Sequence, residues 1–288
     1  MSITPAMSPT IAGLFIYPVK SCKGIAVSSV PLTPRGFLHD REWMIVSATR
    51  ESSTAPYRFV TQREYPRLAL IRTAVSATGL ALSASGCDPV TIDFATDGEH
   101  CDAVVWSDTV SAIDQGSVAA GWLSAFVGAD LRLVRFDPSF RRLCNPAFAG
   151  DSGANTGFAD GYPLLVIGTA SLADLNGKLL ARGTAALPMN RFRPNIVLDG
   201  IDAYDEDHLS RINIGDAQLR MVKPCTRCRI TTTDQDTADV GDEPLATLAG
   251  YRNNPRLGGV TFGMNAIVSA GYGRAIDRGA AVDIGWNF

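Results

Sequence analysis

Glycine and proline punctuate this chain from end to end: 27 and 16 of them among 288 residues, spread instead of pooled in one linker. Both residues interrupt regular structure, so the chain is built of short elements joined by tight turns. Between turn residues such as Gly24, Pro34, Gly36 and Gly86, apolar residues come in strand-sized bursts at 11–19, 25–32, 43–46, 68–72, 80–83 and 90–94. The same texture returns at 195–198, 211–214, 219–222, 229–233, 260–262 and 281–284. Helical spacing is confined to three places. One is 117–126. The second carries Leu172, Leu175, Leu179 and Leu180 on one face, with Thr169 or Ser171 as its cap and Gly183 as its stop. The third, 243–251, aligns Leu245, Leu248 and Ala249. Many short strands need closed or covered edges, so the expected fold is mostly β and barrel-rich, with a few α-helices and a division near residues 125–150.

Apolar residues make up 46% and charged residues 19% of the chain, enough for substantial cores and too apolar for a disordered segment. The net charge of −3 gives no overall positive field, so no nucleic-acid partner is expected. No window approaches the ~20 apolar residues of a membrane span; the longest runs, such as 164–167, are strand-sized. Residues 1–11 lack the basic and apolar regions of a secretion signal, and the next apolar stretch is broken by Pro18 and Lys20. A cytoplasmic location is expected. Six cysteines are far too few for a disulfide-stapled scaffold, so cysteine chemistry points to free thiols or a metal.

The most informative stretch is Lys223-Pro224-Cys225-Thr226-Arg227-Cys228-Arg229. Two thiols three residues apart among cations favour the thiolate, which is both nucleophile and soft-metal ligand. A structural zinc site needs four ligands, whereas Cys22, Cys87, Cys101, Cys144, His39, His100 and His208 are scattered. A thioredoxin-like dithiol expects a helix after the pair, whereas Ile230-Thr231-Thr232-Thr233 is β-branched and strand-like. A metal-bearing cofactor that asks the protein for one thiolate fits the lone pair best. The bland alternative is two buried cysteines acting as small hydrophobes.

A second cluster is Tyr17-Pro18-Val19-Lys20-Ser21-Cys22-Lys23-Gly24 followed by His39-Asp40-Arg41-Glu42-Trp43. Its cations and backbone donors suit a phosphate, and Arg41 adds a planar donor; the alternative is a solvated turn with Asp40 and Arg41 in a surface ion pair. The third cluster, Arg191-Phe192-Arg193-Pro194-Asn195-Ile196-Val197, sets Arg191, Arg193 and Asn195 at alternate positions. On a strand they share one face and suit a polyanionic or heterocyclic ligand. The competing reading pairs the arginines with Asp202, Asp205, Glu206 or Asp207. There is no GxxxxGK[ST] and no GxSxG, and His208 reads as a surface residue.

Taken together, Ile16-Tyr17-Pro18-Val19-Lys20-Ser21-Cys22-Lys23-Gly24, Asp40-Arg41-Glu42-Trp43, Phe192-Arg193-Pro194-Asn195-Ile196-Val197, Cys225-Thr226-Arg227-Cys228 and Glu243-Pro244-Leu245-Ala246-Thr247-Leu248 resemble the molybdenum-cofactor sulfurase C-terminal (MOSC) domain family with its companion N-terminal domain. The resemblance runs over nearly the whole chain, and within the family it is similar to the YcbX-type proteins and the mitochondrial amidoxime-reducing component. It implies an N-terminal β-barrel domain over 10–130 and a MOSC β-barrel domain over 131–288. It also implies a pyranopterin molybdenum cofactor (Mo-molybdopterin) whose dithiolene leaves the metal one protein thiolate to find. By position Cys228 resembles the metal ligand. Lys20, Arg41, Arg193 and Asn195 match cofactor-contacting positions, with Cys225 and Arg227 beside them. Asp160 matches an acidic position near the cofactor and joins Cys228 as a catalytic candidate. The following Gly161-Tyr162 departs from the small hydroxyl residues of the relatives, leaving those donors missing or supplied by Thr156 or Ser152. The family at large is also associated with pyridoxal phosphate binding.

The function that the resemblance implies is reduction of N-hydroxylated small molecules such as hydroxylamines, amidoximes and N-hydroxylated bases. The scattered cysteines offer no iron–sulfur spacing, and no ferredoxin-like segment follows the second domain, so a separate iron–sulfur, flavin or haem protein is the expected electron donor. The alternative is a non-catalytic carrier of the cofactor, or of sulfur on Cys225 or Cys228.

Overall fold

The computed structural model describes residues 8–94 and 98–287; residues 1–7, on which the missing secretion signal partly rests, lie outside them. The fold is strand-rich, as the punctuation implies. The largest sheet runs in the order Ile25–Val27, Thr10–Ile16, Ile196–Asp199, Leu164–Gly168, Gly259–Ala270, Ala217–Thr226, Leu209–Ile214 and Asp283–Trp286, with Asn253–Asn254 paired to Gly259–Ala270. Leu164–Gly168 and Ile196–Asp199 are parallel; the other neighbours are antiparallel. The sheet nearly closes on itself, because the Val282 amide donates to the Pro9 carbonyl and Thr10 bridges Ala281. Its interior is an apolar cluster that includes Leu14, Val166, Leu198, Ile212, Leu219 and Ala266.

A five-stranded sheet follows the order Trp43–Ser47, Leu131–Phe136, Asp108–Asp114, His100–Val105 and Tyr57–Arg58. With the Arg72–Val75, Gly79–Ala84 and Cys87–Asp93 meander and the Gly116–Val127 helix, it encloses a second core around Trp43, Leu68, Leu80 and Leu123. Strand pairing crosses the 130/131 division at four ladders: Thr10–Ile16 with Ile196–Asp199, Ser29–Thr33 with Ala275–Asp277, and Leu131–Phe136 with both Trp43–Ser47 and Asp108–Asp114. Thr10–Ile16 and Ile25–Val27 belong to the large sheet, while Leu131–Phe136 joins the five-stranded one. The loops after the first strand and before the five-stranded sheet are thereby held against the end of the large sheet.

The Thr169–Ala181 helix ends at Gly183 as expected: Gly183 has φ +75° and donates to Leu180, and Thr184 donates to Leu179. Its start differs. Neither Thr169 nor Ser171 caps it; the buried Glu206 carboxylate reaches in from a distant turn, accepting the Gly168 amide (3.2 Å) and the Ser171 hydroxyl (2.6 Å). Leu175 and Leu179 are buried, but Leu180 is 61% exposed and does not share their face.

Two expected strands are helical turns. Residues 68–72 fall mostly in the three-ten helix Pro66–Leu70, started by a proline at its first position. Residues 229–233 form the three-ten helix Arg229–Thr232, in which Thr231 and Thr232 return their hydroxyls to the Cys228 and Arg229 carbonyls, both at 2.9 Å. Threonine hydroxyls that bond their own backbone compete with a sheet ladder, and here they win over β propensity. Among the described residues no helix is long and apolar enough to cross a membrane.

Candidate functional site

Lys20, Arg41, Asp160, Arg193, Asn195, Cys225, Arg227 and Cys228 all line one cavity of ≈ 130 Å³ at the end of the large sheet, together with Ser21, Tyr162, Thr231 and Asn265. Chain order does not predict such a gathering. Cys225 is the next-to-last residue of the Ala217–Thr226 strand, Cys228 opens the three-ten turn after it, and Asn195 precedes the Ile196–Asp199 strand three strands away. Lys20 and Arg41 come from loops held by mutual backbone bonds: Lys20 donates to Trp43 (2.8 Å) and Arg41 to Tyr17 (2.8 Å).

Three cavity residues that are not glycine, Ser21 (φ 69°), Arg41 (φ 48°) and Arg193 (φ 56°), have left-handed backbones. Residues with a Cβ adopt this region at an energetic cost, and such outliers cluster where surrounding structure holds a site in place. Here the holding element is Tyr17, whose ring lies between the guanidiniums of Arg41 (4.3 Å) and Arg193 (4.2 Å) and whose hydroxyl donates to the Pro194 carbonyl (3.0 Å). Burial pushes the Tyr17 phenol up to about 12, so it stays a neutral donor. Gly24 packs against the same ring; a Cβ there would stand 2.8 Å from Tyr17 Cδ1.

Arg41 is not the surface partner of Asp40. Both side chains are largely buried; Asp40 accepts from the Arg41 guanidinium and from the Tyr17 amide (2.8 Å), while Arg41 also donates to Asn195 Oδ1 (2.9 Å) and the Arg193 carbonyl (3.2 Å). Burial raises the Asp40 carboxyl, and the adjacent Arg41 charge opposes the shift. Arg193 donates to the Cys22 carbonyl (2.7 Å), and burial lowers its guanidinium to about 10, still protonated at neutral pH. The Cys22 thiol is buried and raised to about 12 by desolvation, so it is inert.

Lys20, 8% exposed, donates to the Phe158 carbonyl (2.8 Å) and to Asp160 Oδ1 (2.5 Å). Burial lowers the ammonium, and the Asp160 charge pulls it back. The Asp160 side chain is 65% exposed; what desolvation it has raises its carboxyl, but Lys20 and the Trp106 indole outweigh that and hold it below the usual carboxylate range. Solvent screens this pair, so its contribution to stability is small. The two thiols are free and differ in their surroundings. Cys225 Sγ accepts from Arg227 Nη1 at 3.0 Å; the Cys228 sulfur makes no hydrogen bond among the described residues.

Several expectations are corrected. Arg191, Arg193 and Asn195 do not alternate on a strand: Met189–Arg191 is a three-ten turn, Arg193 has a positive φ, and the strand starts at Ile196. Arg191 points away from the cavity, toward the Thr232 carbonyl (3.4 Å) and Asp234 (3.8 Å), and none of the carboxylates from 202 to 207 pairs with it. Thr156 and Ser152 do not line the cavity; the hydroxyls that do are on Ser21, Thr226, Thr231 and Tyr162. Lys23 turns outward to Asp236.

Sequence reasoning passed over two residues. Arg142, 5% exposed, holds the loop that carries Asp160 by donating to the carbonyls of Gly157 (3.0 Å), Ala159 (2.5 Å) and Asp160 (3.0 Å). Trp106 donates its indole N–H to Asp160 Oδ1 at 3.0 Å. Neither lies near a cavity residue in sequence. The legible signal for Trp106 is an aromatic residue at a turn between two alternating strands.

The donor set suits an anionic, ring-bearing group that brings its own metal. Four cations and one unengaged sulfur face the cavity, the buried Arg227 Nε lacks a partner, and among the described residues no three His, Cys, Asp or Glu side chains cluster as a self-sufficient metal site.

A nearly closed β-sheet, a second β-rich part packed on its end, and a cleft of cations around a cysteine define a MOSC-type protein. The chain belongs to that family: residues 8–130 match the MOSC N-terminal beta barrel domain and residues 154–283 the MOSC domain. It is similar to the Homo sapiens mitochondrial amidoxime-reducing component 1, with 36% identity over 253 residues that span 84% of this chain and 72% of that protein. The Bos taurus mitochondrial amidoxime reducing component 2 shares 32% identity over the same shares of the two chains. The Danio rerio molybdenum cofactor sulfurase is 32% identical over 274 residues, 89% of this chain but 32% of that protein.

Proposed function

We propose that this protein is a molybdenum-cofactor-dependent reductase of N-hydroxylated small molecules, working in the cytoplasm with electrons from a separate iron–sulfur, flavin or haem protein. The observation that carries the reading is the convergence of Cys228 with Lys20, Arg41, Arg193, Asn195 and Arg227 on one cavity. The names of the amidoxime-reducing relatives support it. Pyridoxal phosphate is not part of this reading.

Cys228 would supply the thiolate to the metal, being the sulfur with no hydrogen bond to give up. Lys20, Arg41 and Arg193 would hold the phosphate, and Asn195 and Arg227 the pterin, by charge-assisted and amide hydrogen bonds. When bound, the cofactor supplies two-electron removal of oxygen: an N–OH group, two electrons and two protons give N–H and water. At ≈ 130 Å³ the cavity is smaller than the ~300–1,000 Å³ typical of ligand sites, so entry of the cofactor requires Lys20 to swing off Asp160 and Arg227 off Cys225. Once Lys20 turns to a phosphate, the Asp160 carboxylate is released at the mouth of the cleft. With the Trp106 indole still donating to it, the carboxylate stays an acceptor at neutral pH even without the Lys20 charge, since an ordinary aspartate titrates at ~3.9, and it is suited to orienting a substrate N–H and not to donating a proton.

The test is turnover. Protein made in a cofactor-competent host and given an artificial reductant should reduce an amidoxime to the amidine, and Cys228→Ser should abolish this while Cys225→Ser is milder. Molybdenum and pterin bound in stoichiometric amount without any turnover would instead select a carrier, the reading that the sulfurase relative favours.

A further inference from the structure

We propose that Trp106 is a specificity-determining residue of the cleft, forming the outer wall of its mouth and selecting N-hydroxylated compounds that carry a flat ring over aliphatic ones with the same reacting group. The inference rests on the reductase reading and goes beyond it, since nothing in that reading needs an aromatic residue here.

Trp106 occupies a costly position. It is the first residue of the two-residue turn that joins His100–Val105 to Asp108–Asp114, where Val105 pairs with Asp108, and its φ is +57°. Such turns favour Gly, Asn or Asp, which reach the left-handed region with least strain. A bulky aromatic residue in that conformation is an outlier that points to function. It is also 45% exposed, so core packing does not explain it.

What holds the indole in place leads to the cleft. Its N–H donates to Asp160 Oδ1 at 3.0 Å, the same oxygen that accepts from Lys20. The Arg63 guanidinium covers its ring at 4.7 Å, and Phe59 meets it edge-on at 5.4 Å. Phe59 in turn lies under the Lys20 ammonium at 5.7 Å. The strained tip of one sheet is thus fixed by two contacts to residues that line the cavity or touch one that does, while nearly half of the residue faces solvent. Asp160 Oδ2 has no hydrogen bond among the described residues, so an N–H of the substrate can bind that oxygen while its substituent lies along the indole. Stacked or edge-to-face rings gain over aliphatic groups of similar area, and the gain belongs to binding, not to the N–O chemistry.

The experiment compares benzamidoxime with acetamidoxime on cofactor-loaded wild type, Trp106→Phe and Trp106→Leu. The Leu variant should lower the kcat/KM ratio of the aryl over the alkyl substrate roughly three- to tenfold, carried in KM, and the Phe variant should retain most of the ratio. Taking the ratio cancels the lost Asp160 bond and any shared loss of folding or loading. An unchanged ratio in an active Leu variant overturns the assignment. Benzamidine titration followed by indole emission needs no turnover and separates the two failures. If wild type reduces neither substrate, the reductase reading falls, whereas quenching by benzamidine that disappears in Trp106→Phe still supports the wall and quenching that persists there removes it.

Discussion

Arg142 offers the sharpest test of how the cleft is built. Its guanidinium is buried and supplies the hydrogen bonds that the Gly157, Ala159 and Asp160 carbonyls receive from it, with Asp108 as a partly exposed counter-ion at 2.7 Å. Arg142→Met keeps the length and apolar stem and removes every donor. A buried polar group left unsatisfied costs about 1–3 kcal/mol. The Gly157 and Ala159 carbonyls are buried and at about 1.5 kcal/mol each give about 3 kcal/mol, while the part-exposed Asp160 carbonyl and the half-exposed Asp108 add little when their partner is lost. With a urea dependence of about 3 kcal/mol per molar for a chain of this size, the unfolding midpoint should fall by about 1 M. Because the same loop provides the Phe158 carbonyl and Asp160 to Lys20, cofactor retention should fall as well. Equilibrium unfolding in urea, read by circular dichroism, measures the shift. A midpoint within about 0.2 M of wild type would refute the reasoning, since it would mean that the three bonds are replaced by water at no cost.

Three other outcomes follow from the same geometry. Lys20→Ala and Arg41→Ala should each weaken cofactor retention by about 1.5–3 kcal/mol per lost charged hydrogen bond, measured as pterin released on gel filtration; unchanged retention in both would remove them from the phosphate site. Gly24→Ala drives a methyl into the Tyr17 ring that separates Arg41 and Arg193, so it should destabilise the protein by about 1–3 kcal/mol and loosen cofactor binding, read by thermal melting and metal content. Glu206 is fully buried and its carboxyl is raised by desolvation, against which the Ser171 and Gly168 bonds act. The folded state therefore holds this proton more tightly than the unfolded chain. Its contribution is full below the ordinary carboxyl range near ~4.3 and is lost as pH rises from there through the raised folded value. Glu206→Gln should flatten that decline in a pH series of melting curves; an unaltered slope would show that Glu206 is not its source.

The sequence carried the β-rich class and the gathering of charged motifs further than it carried local structure. Apolar bursts separated by Gly and Pro mark strands well when both faces are buried, as at Trp43–Ser47 and Leu164–Gly168. They mislead where a neighbouring residue diverts the backbone: Pro66 starts a three-ten turn ahead of Leu68, and the hydroxyls of Thr231 and Thr232 hold a turn where β-branching suggests a strand. The strands His100–Val105, Asp108–Asp114 and Leu131–Phe136 went unread, because their alternation mixes Asp, Ser and Arg into half-buried faces. Within the site, residues in compact motifs were legible, whereas Trp106 and Arg142 act only through tertiary contacts to the Gly157–Asp160 loop, which no spacing encodes. The Glu206 cap on a distant helix is hidden for the same reason.

Molybdenum-edge X-ray absorption on cofactor-loaded protein tests the central claim most directly, because it counts sulfur neighbours of the metal. Cys228→Ser should show one sulfur neighbour fewer than wild type, and Cys225→Ser should match wild type. The same sulfur count in wild type and Cys228→Ser, at full metal loading, would contradict Cys228 as the thiolate ligand.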